Sequence, residues 1–153
     1  MVKYKVVLVL SEELGIKCPQ VHFTSSFDGN AGSAAEYGWL ILPDYTRERA
    51  RMMILTIAHG LRHIWQSVYQ PELKENYVHV ECEDDYEAYS LHPCEIDAEA
   101  YARKLAELVW QVDPFVDDNP KVLEALLKRR DEIDVSLSEG VKIYFEVLGE
   151  LKE

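Results

Sequence analysis

The chain is poor in the residues that mark several common classes of protein. It has three cysteines in 153 residues: Cys18, Cys82 and Cys94. So sparse and odd a set gives no disulfide framework, so a packed core has to hold the fold. Basic residues are also scarce. Against 28 Asp and Glu stand 16 Lys and Arg, a formal net charge of -12. Phosphate backbones are gripped by clustered Lys and Arg, so nucleic acid is excluded as the main partner. The same deficit argues against an anionic membrane surface. No apolar run is long enough to span a bilayer. Val6 to Leu10 is halted by Ser11-Glu12-Glu13 and is too short for the core of a signal segment. The expectation is a reduced, cytoplasmic protein. There is no internal repeat, low-complexity tract or linker, which leaves one domain over residues 1-153.

What is present reads as an α+β outline. Lys3 to Leu14 is Val-rich, which favours a strand. It closes on Glu12-Glu13-Leu14-Gly15, which reads as a helix end with Gly15 past the cap, and a helix is expected. Val21 to Ser25 and Tyr37 to Leu42 read as strands, separated by turn chemistry from Asp28 to Ser33. They are expected to pair in a small antiparallel sheet. Asp44 or Thr46 can cap a helix that runs to about Tyr69 and is apolar on more than one side, hence central. Pro71 to Pro93 reads as irregular. Further helices are expected from Cys94 or Glu95 to about Val112, after Asn119-Pro120, and after Ser138.

The central helix carries His59-Gly60-Leu61-Arg62-His63. Histidines four apart share one helix face, about one turn apart, the spacing zinc needs to take two ligands from one helix. Taken alone, the pair is equally two ordinary histidines on a buried helix. Downstream, Glu95-Ile96-Asp97-Ala98-Glu99 opens a second helix. It can supply the third, carboxylate ligand, although acids in a first turn also simply offset the helix dipole. Asp97 and Glu99 are the alternatives to Glu95, or acceptors for the outer N–H of a ligand histidine. The metallopeptidase motif is H-E-x-x-H, and Gly60 stands where its Glu belongs. A mid-helix Gly costs about 1 kcal/mol against Ala, with no packing gain evident from the sequence.

Ile57-Ala58-His59, Leu61-Arg62-His63 and Trp65-Gln66, followed by Glu95 to Ala102, resemble the two motifs of small gluzincin-type zinc peptidases. These are the minigluzincins and the ImmA/IrrE-like family. The resemblance covers Glu13 to Ala102 and leaves the C-terminal third unmatched. It implies a zincin-like fold and Zn²⁺ held by His59, His63 and Glu95. It also implies a peptide or protein substrate lying along a sheet-edge strand at Trp39, Leu40 and Ile41. In the family pattern the Glu takes a proton from the attacking water and passes it to the leaving amine. Gly60 has no group for this catalytic step, and general acid–base groups contribute about 10²–10⁴-fold. Hydrolysis is therefore expected to be weak or absent and to rise in Gly60→Glu. The alternative is a non-catalytic, zinc-bearing module that binds a peptide or protein.

Other residues around this motif carry possible chemistry. His79, His92, Asp84, Asp85 and Glu87 are conceivable substitute bases, but solvated loop residues are the simpler reading. Tyr86 and Tyr89 are conceivable oxyanion donors. Cys94 is a conceivable soft ligand, or a redox partner of Cys82. Arg62 is a candidate to pair with Asp97, and Trp39, Trp65 and Trp110 read as core.

Overall fold

A computed structural model describes residues 2–24, 32–34, 38–43, 50–77 and 85–150. The Val-rich opening segment is a helix, α1 (Val2–Leu14). Val6, Val7, Leu10 and Ser11 lie at i, i+1, i+4 and i+5 and are buried, so the run serves a helical face rather than a pleat. Gly15, at φ +70°, ends it in the left-handed conformation that glycine adopts without strain.

Three strands follow: β1 (Gln20–Thr24), β2 (Gly32–Ala34) and β3 (Trp39–Pro43). Their order is β1-β3-β2. β1 pairs with β3 in parallel, Val21 opposite Leu40, and β2 pairs with β3 antiparallel, Ser33 opposite Leu40. The expected antiparallel pairing of the two predicted strands is therefore corrected. The chain makes an extra strand at Gly32–Ala34, where turn residues were read, and so returns along β3 in the direction of β1. β3 is also the middle strand, not an edge.

The central helix is α2 (Ala50–Tyr69). A 3₁₀ turn at Pro71–Lys74 and a short helix, α3 (Tyr86–Leu91), occupy part of the stretch that read as irregular. Six residues are too few to show a periodicity. α4 (Pro93–Trp110) begins with Pro at its first position and ends at Gln111, φ 54°. α5 (Pro120–Glu132) is capped by Asn119, whose side chain accepts from the Lys121 and Val122 amides. α6 (Glu139–Gly149) starts after Ser138, but the Ser138 hydroxyl donates to Glu13 instead of capping, at 2.8 Å.

α2 packs on α4, with α1, the sheet and α6 closing around it. Ile54, Ile57, Ala58 and Leu61 of α2, with Leu105 of α4, are fully buried. Along β3 the side chains alternate: Leu40 and Leu42 are in the core while Trp39 is 39% exposed. Trp39 rests on the ring of His22, centroids 4.7 Å apart, and does not belong to the core. Tyr37, Asp44 and Thr46 lie outside the described residues. Among the described residues no helix is long and apolar enough to cross a membrane.

Candidate metal centre

The α2–α4 contact brings the sequence-predicted cluster together. His59 and His63 project from one face of α2, ring centroids 4.9 Å apart. Glu95 reaches them from the first turn of α4. The His59 and His63 Nε2 atoms are 3.2 Å apart. Glu95 Oε2 lies 3.1 Å from His59 Nε2, and Glu95 Oε1 lies 3.1 Å from His63 Nε2.

The outer ring nitrogens are occupied. His59 Nδ1–H donates to Glu99 Oε2 at 3.0 Å, and His63 Nδ1–H donates to Gln66 Oε1 at 3.0 Å. With the proton on Nδ1, each Nε2 presents a lone pair. Two lone pairs and a carboxylate then face one point, which only a cation makes favourable. Zinc bonds of about 2.0–2.1 Å in tetrahedral geometry place donor atoms roughly 3.3 Å apart. The observed separations and the two-imidazole, one-carboxylate donor set fit that ion. The centre is not sealed, since the His59 side chain is 24% exposed.

A proton can also serve as the cation. Burial, the largest influence, pulls His59 down, but the hydrogen bonds and charges of Glu95 and Glu99 outweigh it and push the ring up to about 9. Burial likewise raises Glu95, and the bonds to His59 and His63 more than reverse this, holding it well below the usual carboxylate range.

Gly60 proves to have a packing role. A Cβ at this position would lie 2.5 Å from Leu40 Cδ1, far inside carbon–carbon contact distance. The bare helix lets β3 press Leu40 onto α2. Two expectations change. The mid-helix Gly is matched by a packing gain, and the Cβ of any residue placed there meets Leu40 Cδ1. Leu40 also has 0% exposure and faces the core, so of the three predicted substrate-strand residues only Trp39 and Ile41 reach the surface. Because β3 is flanked by strands on both sides, its backbone is already paired.

Asp97 stands behind the cluster rather than beside it. It is fully buried and takes a two-pronged contact from Arg62, Nε at 2.8 Å and Nη2 at 3.0 Å. Arg129 of α5 adds Nε at 3.0 Å and Nη2 at 2.9 Å, and Gln66 Nε2 adds a bond at 2.8 Å. Burial raises the Asp97 carboxyl, but Arg62 first, then Gln66 and Arg129, hold it below its ordinary value. Arg62 in turn lies over the Trp65 ring at 3.5 Å. Arg129 was missed in the sequence because it sits in the unmatched third. Gln66 closes the motif stretch at Trp65-Gln66, and its place one turn past His63 is the signal that could have found it.

The remaining candidates are committed elsewhere. Asp85 caps α3, and Glu87 pairs with Lys121 at 3.3 Å. His92 caps α4 and stacks edge-on to Tyr77. The Cys94 thiol is pushed up to about 12, by burial first and then by the Glu95 charge, so it is neutral in the metal-free protein. It does not belong to the cluster formed by His59, His63 and Glu95. Tyr86 and Tyr89 wall a cleft of about 260 Å³ that adjoins Glu95 and Glu99, with Arg103 and Leu126 opposite. The Tyr86 hydroxyl is already given to Asp117, at 2.5 Å. His79, Cys82 and Asp84 lie outside the described residues. The chain matches no family model, no curated protein and no solved structure.

Proposed function

We propose that the chain is a zinc-binding domain on a gluzincin-like metallopeptidase scaffold, one that binds a peptide or protein rather than cleaving it. His59, His63 and Glu95 hold the metal. Glu99 and Gln66 fix the two rings. The observation that carries the metal reading is the convergence of two Nε2 atoms and one carboxylate at 3.1–3.2 Å from two different helices. Bound zinc supplies a Lewis acid able to polarise a carbonyl. The chain's own contribution to hydrolysis is missing, because Gly60 has no side chain to act as a general base. That favours binding over turnover. A peptide adding to the sheet has to do so at an outer strand, not along Trp39 to Ile41.

The deciding experiment is elemental analysis of purified, dialysed protein beside His63→Ala. About one zinc per chain, lost in the variant, is the expected result. No zinc in either protein refutes the metal reading. Cleavage in a broad peptide library by the zinc-loaded protein refutes the non-hydrolytic part.

A further inference from the structure

We infer that Gln66 is the positioning residue for His63, and that its amide is aimed by the arginine-clamped carboxylate of Asp97. The role as a ligand-orienting group rests on the metal reading above. The proton placement it enforces does not.

Gln66 is fully buried, so its amide must find all its partners inside the protein. Its Nε2 lies 2.8 Å from the Cys94 carbonyl oxygen and 2.8 Å from Asp97 Oδ2. A carbonyl can only accept. Asp97, fully buried, faces the guanidinium groups of Arg62 and Arg129, which only donate, so it too is an acceptor. Both amide protons of Gln66 are thereby assigned. The amide cannot turn over without setting its oxygen against two acceptors. Oε1 is left pointing at His63 Nδ1, at 3.0 Å. His63 must carry a proton there, so a neutral ring offers Nε2 as a lone pair, 3.1 Å from Glu95 Oε1. The chain of cause runs from two arginines, through one carboxylate and one amide, to the tautomer of one imidazole. Only its last pair, Gln66 with His63, is local, three residues apart on α2. Asp97 lies 31 residues from Gln66 and 32 from Arg129.

The test is ¹⁵N-edited NMR of the metal-free protein at about pH 8.5, above the ordinary imidazole range, where long-range couplings report which His63 nitrogen is protonated. Wild type is expected to show the Nδ1–H form. Gln66→Met, similar in volume but without an acceptor, is expected to move the proton to Nε2 and to weaken zinc binding about 10–100-fold. A variant that lost only packing would be less stable yet keep the tautomer. A neutral His63 with its proton on Nε2 and Nδ1 bare in the wild type overturns the proposal, and that measurement needs no variant to fold. Unchanged zinc affinity in a folded Gln66→Met overturns the positioning role while leaving the metal centre standing. The expected tautomers without any zinc binding leave the proton placement standing and refute the metal reading instead.

Discussion

Replacing Gly60 with alanine sets two effects of known size against each other. In an open helix the change is favourable by about 1 kcal/mol. Here the new methyl lies 2.5 Å from Leu40 Cδ1, where contact carbons prefer about 3.5–4.0 Å. Leu40 has no exposed surface and cannot swing into solvent, so it or β3 must shift by about 1 Å. Overfilling of this kind costs about 1–3 kcal/mol. The net expectation is a loss of about 0–2 kcal/mol instead of a gain, from overpacking set against propensity. Leu40→Ala removes the obstacle. Alone it costs about 2–5 kcal/mol, and on that background Gly60→Ala should turn stabilising by about 1 kcal/mol or more, since it also fills part of the cavity. The four proteins form a double-mutant cycle, read by urea unfolding with far-ultraviolet circular dichroism. A gain of about 1 kcal/mol from Gly60→Ala in the wild type would mean that the close approach does not exist. The same contact predicts that Gly60→Glu is destabilising unless Leu40 is trimmed as well.

The other expectations follow from the charged groups. With His59 pushed up to about 9, zinc must displace its proton at neutral pH, so affinity should rise with pH until about 9. Calorimetry in buffers of different ionisation enthalpy should count roughly one proton released per zinc, and a count of zero contradicts the assignment. In the metal-free protein the sign reverses. Folded His59 holds a proton that the unfolded chain loses near pH 6.5, so its contribution is intact below that value and is lost as pH rises through about 9. Thermal melts should show this decline in wild type and not in His59→Gln. Asp97→Ala strands the buried Arg62 guanidinium, and a loss of about 3–5 kcal/mol is expected in urea; under about 1 kcal/mol the network is not structural. Glu99→Gln keeps an acceptor for His59 Nδ1–H but removes the charge, and a fall in zinc affinity without loss of fold is the expected reading in a competition titration.

Much of this was legible in the sequence for definite physical reasons. The i, i+4 histidines, the acid-rich helix start at Glu95, the Gly15 cap and the Asn119-Pro120 start are local signals, and α1, α2, α4, α5 and α6 appear where such signals stand. The strand pairing was not legible, because direction depends on a third, three-residue strand too short to declare itself. Gly60 read as a pure loss, since a sequence does not show that Leu40, twenty residues earlier, presses on it. Arg129 was invisible for the same reason: its partner is distant, and nothing in α5 distinguishes it from a solvated basic residue.

The contact between Arg129 and Asp97 also governs the order in which the molecule can be assembled. His59, His63 and Glu95 all lie within the first 95 residues, yet the carboxylate that aims Gln66 gains its second guanidinium only from residue 129. On a ribosome, both histidines and Glu95 are made well before α5 has emerged. Until it docks, Asp97 has Arg62 alone, and α4 lacks the cover that Val122 and Leu126 give it. A fragment ending near Asp113 should therefore hold Gln66, and with it His63, less firmly. The C-terminal third, which carries no recognisable motif, thus supplies one of the two guanidinium groups that hold Asp97.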